Sequence, residues 1–336
     1  MDRSKPLIID HAILKQKDNI PLKQVHGHTL KAFAKLYDKP RGLQGIRSKH
    51  RLFFGELFKE LMSGNSSYVT YLNDGVVGKK KRDAKIPDYV RCIIKEMPSP
   101  TAPYYGEIVG SRLANLLGVD TVYNMAHQID PDDELSAFDY DYLISVDYVP
   151  DGFTDFTFDN IGVCFEEDSL EDIMINIDRA LRRLNKTGRI SADLESVESF
   201  KEDFVKQFLF RSLLCEDQDY CSRNTSLLIS KNGDFRLGPC FDMELMFQGK
   251  RSTSYYKSTV ARDFEFLLGA MPDVLEEFLY TCNSALKSGD VARVMTDSIS
   301  VGPDMIYQNY KMMVMNNIKT MTSLYQEMKK DSLPEM

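Results

Sequence analysis

The chain has 336 residues, 43% hydrophobic and 27% charged, as expected of a folded protein large enough for one two-lobed domain or two ordinary ones. Its net charge of -8 argues against nucleic acid as the main partner, because phosphate-backbone binding needs a basic face. The six cysteines form no Cys-x-x-Cys pair and are too sparse for a disulfide framework. They point to reduced thiols and a cytoplasmic protein, with export as an effector left open. No stretch of about 18 apolar residues occurs, so no membrane span is expected.

In chain order, residues 50–63 place apolar side chains at 53, 54, 57, 58, 61 and 62, a helical period closed by Gly64-Asn65. Ser67–Leu72 is rich in β-formers and runs into the turn Asn73-Asp74-Gly75. Tyr89–Met97 predicts a strand stopped by Pro98 and Pro100. Residues 105–117 predict an amphipathic helix ended by Gly118. Val119–Ile129 and Tyr140–Val149 predict two more strands, the second broken at Pro150-Asp151-Gly152. From there the pattern turns helical, at 169–185, 196–215, 262–269, 272–287 and 303–329. A short hairpin interrupts it, Ser226–Ser230 and Phe235–Leu237 around Lys231-Asn-Gly-Asp234. This reads as an α+β protein with a mainly β part over 1–150 and a mainly α part over 151–336.

The stretch that carries chemistry is Asp219-Tyr-Cys-Ser-Arg-Asn224, followed after the hairpin by Phe241-Asp242. An Asp, an Asn five residues on and a second Asp returned by a hairpin suit ATP-dependent phosphoryl transfer. The first Asp takes or orients the proton of the attacking hydroxyl, while the Asn and the later Asp hold Mg²⁺ against the phosphates. Such a site also needs a cation on the α- and β-phosphates. Lys95 suits this role, since a charge on the apolar strand Val90–Lys95 is costly unless it is paired. Glu107, on the following helix, is its candidate partner.

The string Ile93-Ile-Lys95-Glu-Met-Pro98, then Gly106-Glu107 opening a helix that closes on Leu116-Leu-Gly-Val119, resembles the nucleotide-binding lobe of HipA-type kinases. In the second half, Phe208–Leu214, Asp219-x4-Asn224 and Pro239-Cys-Phe-Asp242 resemble the catalytic and metal-binding segments of that family. The similarity spans about residues 65–270 by motif. It implies a bilobal, protein-kinase-like fold related to the phosphoinositide 3-kinases, and an ATP- and Mg²⁺-dependent serine/threonine kinase acting on a protein. By the resemblance, Asp219 is the catalytic base, Asn224 and Asp242 are the metal ligands, and Lys95 with Glu107 binds the nucleotide. Ser145, Asp147 and Val149 lie on the hinge, whose backbone would meet the adenine.

The family's Gly-Asn before the catalytic Asp and the His two residues after it are here Glu216-Asp217-Gln218 and Cys221. Asp217 is therefore a second candidate for the base. The phosphate-binding loop has three candidates, at 42–49, 64–67 and 78–82. A small-molecule or lipid kinase uses the same motif, and a nucleotide-binding protein without transfer activity stands as the reading from another class.

Overall fold

The computed structural model describes residues 8–10, 49–54, 90–98, 102–122, 124–128, 140–146, 148–149, 152–165, 169–248, 253–297 and 304–331. The first half contributes β1 (Ile8–Asp10), β2 (Lys49–Phe54), β3 (Val90–Pro98), β4 (Asn124–Gln128) and β5 (Tyr140–Val146), with helix α1 (Ala102–Leu116) between β3 and β4. They form a five-stranded sheet ordered β1-β4-β5-β3-β2, antiparallel except for the β1–β4 pair. On β5, Ser145 is in register with Ile93 of β3 on one side and Asn124 of β4 on the other. These three positions share one face of the sheet. Position 95, two residues from Ile93 along an unbroken register, belongs to the same face.

Beyond residue 150 the chain is helix-rich. Strands β6 (Phe153–Thr157), β7 (Ser226–Ser230) and β8 (Phe235–Leu237) make a second, antiparallel sheet. The helices are α2 (Leu170–Lys186), α3 (Leu194–Phe208), α4 (Thr253–Ala270), α5 (Pro272–Lys287), α6 (Asp290–Asp297) and α7 (Asp304–Asp331). α2 forms because its apolar residues 170, 173, 174, 177, 180, 181 and 184 line one face, all buried. Acidic residues occupy its first turn and basic ones its last. Ser169 caps its N-terminus, with the Asp172 N–H donating to the hydroxyl at 3.2 Å. Ser169→Ala is expected to lower stability by about 1 kcal/mol in a chemical melt, the usual cost of losing such a cap.

One hydrophobic core runs through α1 and α2 to α7, so Val109 and Leu113 of α1, with Leu117 just past its end, pack in the same core as the helices of the second half. An aromatic group centred on the fully buried Phe158 links the second sheet to α3. Its ring lies 5.7 Å from Phe204 and 5.9 Å from Phe165. Among the described residues, no helix is long and apolar enough to cross a membrane.

Sequence and structure differ at several elements. Residues 50–54 are strand, not the start of a helix. Leu52-Phe53-Phe54 is an unbroken apolar run that fits either period, and antiparallel pairing with Val90–Cys92 decides it; residues 55–63 lie outside the described segments. Among the described residues, the strand expected over 119–129 is seen as β4. Before it, Thr121 makes an isolated parallel bridge to Cys240 instead of joining the sheet. β6 and α6 carry short patterns that the sequence reading passed over. α4 begins at Thr253, well before 262, because Tyr256 and Val260 already belong to its buried stripe. The strand over 67–72 and all three candidate phosphate loops fall outside the described residues, except that Lys49 begins β2.

Candidate active site

The site is built where two loops cross. α3 runs on through a π-helical stretch, Leu209–Leu214, and stops at Cys215. A helix end leaves carbonyls without partners, and here they are taken up one by one. Tyr256 Oη donates to the Leu213 carbonyl at 2.8 Å, and Asn317 Nδ2 donates to that of Leu214 at 3.0 Å. The Phe247 N–H donates to the Cys215 carbonyl at 2.8 Å. That last bond, with Gln218 N–H to the Leu245 carbonyl at 3.3 Å, laces the segment 215–219 to the segment 242–248. Among the described residues, the non-glycine positions with positive φ are Glu216 (45°), Asp242 (55°) and Phe247 (65°), all in these two loops. Backbone held in that region costs free energy and tends to collect at functional sites.

Asp219 and Asn224 meet. A 3-10 turn, Ser222–Asn224, swings the asparagine back so that its Nδ2 donates to Asp219 Oδ2 at 2.8 Å and to the Asp219 carbonyl at 3.0 Å. With both N–H bonds directed there, the Oδ1 oxygen is the atom left for a cation. The Asp219 carboxyl is pushed above the usual carboxylate range, first by burial and then by the charge of Asp242, while the Asn224 bond opposes the shift.

Asp217, the second candidate for the base, is instead a structural anion. It and Arg211 are fully buried as an ion pair, with Arg211 Nη2 2.6 Å and Nε 2.8 Å from Asp217 Oδ2. Burial pushes this carboxyl up, but the guanidinium and the Asp219 N–H, which donates to Oδ1 at 3.0 Å, favour its charged form.

Asp242 comes to the site on the segment leaving β8. That segment is held against the α1–β4 connection by Cys240 N–H to the Asp120 carbonyl at 2.8 Å and Val122 N–H to the Cys240 carbonyl at 2.9 Å. From the other side α1 brings Glu107, fully buried in its second turn. Carboxylate oxygens of Glu107, Asp242 and Glu244 lie within 4.8 Å of one another. Asn124 Nδ2 donates to Glu107 Oε2 at 3.1 Å, and the Ser145 hydroxyl donates to Asn124 Oδ1. Such hard oxygen donors suit Mg²⁺, and the mutual repulsion of clustered carboxylates is relieved by a bound cation.

Of the residues singled out from the sequence, the structure thus brings together Asp219 with Asn224, and Glu107 with Asp242. Ser145 touches the second group through Asn124. Lys95 is described by its backbone position, on the sheet face that carries Ser145 and Asn124. Val149 is half-buried beside Tyr148, whose ring stacks on Phe241 at 4.9 Å and ties the end of β5 to the neighbour of Asp242. Asp147 lies outside the described residues. Sequence reasoning missed Glu244, Arg211, Asn124 and Tyr148. The signal for Arg211 was present, as the one charge in the apolar run Phe208–Leu214.

No protein-family model and no curated protein matches the sequence. Among solved structures, the chain is similar to the Helicobacter pylori proinflammatory kinase CtkA, with a TM-score of 0.48 and 13% identity over 72% of this chain and 92% of that one. It is also similar to a chain of the Shewanella oneidensis MR-1 toxin–antitoxin complex of HipA, HipB and operator DNA. There the TM-score is 0.47 and the identity 10%, over 90% of this chain and 73% of that one. Both are distant likenesses in the outline of the fold, and the functional reading rests on the side chains.

Proposed function

We propose that the chain is an ATP- and Mg²⁺-dependent kinase of HipA-like type that transfers the γ-phosphoryl group to a serine or threonine hydroxyl of a protein. In this reading residues 1–150 are a nucleotide-binding lobe and 151–336 a catalytic lobe. The observation that carries it is the pairing of Asp219 with Asn224 on one strained loop and of Asp242, on the other, with Glu107 of α1, where the loops cross under α1 and the Asp242 charge acts on Asp219.

Asp219 orients the acceptor hydroxyl and takes its proton as the new P–O bond forms. The bond between the γ-phosphorus and the bridging oxygen breaks, and its electron pair leaves on ADP. Asn224 Oδ1 and the Asp242 carboxylate would hold Mg²⁺, and Glu244, whose carboxylate lies within 4.8 Å of that of Asp242, would be in reach of an ion bound there. When bound there, the ion would supply charge neutralisation on the phosphates. Lys95 holds the α- and β-phosphates, and Glu107, facing the sheet from α1, orients it. The Tyr148–Phe241 stack supports the hinge beside the adenine.

Thermal unfolding in ATP with and without Mg²⁺, followed by assay of radioactive phosphate on the chain and on added proteins, tests the proposal. The expected result is stabilisation by ATP that grows with Mg²⁺, together with label on serine or threonine. Stabilisation without label on any acceptor points to a nucleotide-binding protein, and no stabilisation at all removes the proposal.

A further inference from the structure

Arg211 is the one charged residue in the stretch Leu209–Leu214, and its side chain is completely buried. Burying a guanidinium is costly unless its donors are satisfied, so the directions of those donors are informative. Nε and Nη2 both reach Asp217 Oδ2. Nη1 donates to the Asn224 carbonyl at 3.0 Å, and Nη2 donates to the Asp242 carbonyl at 3.2 Å. The Tyr220 ring lies over the guanidinium carbon at 4.8 Å and fixes the plane of the fork. Asp217 passes the constraint on through its other oxygen, which accepts the Asp219 N–H.

We propose that Arg211 is a positioning residue, a single buried guanidinium that sets the spacing between the Asp219–Asn224 loop and the Asp242 loop, and hence between the ligands of the cation. The inference rests on the kinase reading above and adds what holds its parts in place. The two backbone carbonyls it grips belong to the same residues, Asn224 and Asp242, whose side chains are assigned to the metal. Moving either carbonyl moves a ligand. A planar fork can bind three acceptors in one plane, whereas the ammonium of lysine is a point charge with tetrahedral donors and cannot match that set. Arg211 touches neither nucleotide nor acceptor, and acts only through the residues it grips.

The test compares wild type, Arg211→Lys and Asp217→Asn by ADP-induced thermal stabilisation across a Mg²⁺ titration, alongside turnover. Arg211→Lys is expected to unfold cooperatively and bind ADP without Mg²⁺ as wild type does. The Mg²⁺ needed for half-maximal stabilisation should rise about 10- to 100-fold, the usual effect of removing a group that orients a ligand. Its kcat should fall while KM for ATP holds. Asp217→Asn, nearly the same shape without the charge, should move the Mg²⁺ requirement the same way by less. A folded Arg211→Lys protein with the wild-type Mg²⁺ requirement overturns the inference and leaves the kinase reading standing. Loss of folding in both variants also overturns it, since the pair would then support the core and not the site. Wild-type protein that binds no nucleotide removes both readings, and this outcome shows before any substitution is made.

Discussion

Asp242→Asn is expected to abolish Mg²⁺-dependent stabilisation by ATP and to lower phosphate transfer by roughly 10²–10³-fold, the scale seen when a group stabilising developing charge is removed. Asparagine is the informative replacement. Asp242 sits at φ 55°, a region that asparagine tolerates far better than alanine, so the backbone stays in place while the charge goes. Without Mg²⁺ the variant should be no less stable than wild type, because one of three crowded carboxylates has been neutralised. Asp219→Asn supplies the contrast. It keeps a side chain able to meet Asn224, so Mg²⁺–ATP should still stabilise it, yet transfer is expected to be lost. Isothermal titration with Mg²⁺–ADP and a labelled-phosphate assay on the same preparations separate the two effects. Asp242→Asn protein that transfers phosphate at near the wild-type rate would remove this residue from the metal site.

Local geometry explains which parts of the site were legible in the sequence. The Asp219–Asn224 contact spans five residues and one 3-10 turn, and the return to Asp242 is a single hairpin. Spacing alone is enough to bring such groups together. Glu107 was legible only as a candidate partner for Lys95, and its described neighbours, Asn124, Asp242 and Glu244, were not. Periodicity placed it on a helix, while its approach to Asp242 and Glu244 depends on long-range contact of α1 with residues 243–246. Asn124 could not be found because its role comes from the register of β4 with β5, which a strand pattern does not encode. Arg211 shows a different failure. A lone charge in an apolar run signals a buried partner, but which partner is fixed only when two loops fold back on it. The same limit applies to β6, whose five residues become a strand by pairing with β7, sixty and more positions away.

Gly106→Ala is expected to disrupt the site without removing a charged group, and the reason is steric. A Cβ at this position would lie 2.6 Å from the Met243 carbonyl oxygen and 3.0 Å from that of Glu244. Both are backbone atoms of the segment that carries the acidic cluster, so neither yields by a rotamer change. α1 must move away, taking Glu107 with it, or the 243–244 backbone must shift, carrying Glu244. Forcing a methyl into packed structure costs about 1–3 kcal/mol, and here the displacement falls on the site itself. The variant is therefore expected to lose Mg²⁺-dependent ATP stabilisation as well as melting temperature. Gly110→Ala, one turn later on the same face, is the control. Its Cβ would meet Met246 Sδ at 2.5 Å and Met243 Sδ at 3.3 Å, both in unbranched side chains that adapt more readily than backbone. It should cost less stability than Gly106→Ala and leave the Mg²⁺ response intact. Should the two alanine variants bind Mg²⁺–ATP equally well, close approach of α1 to residues 243–244 is not what assembles the site.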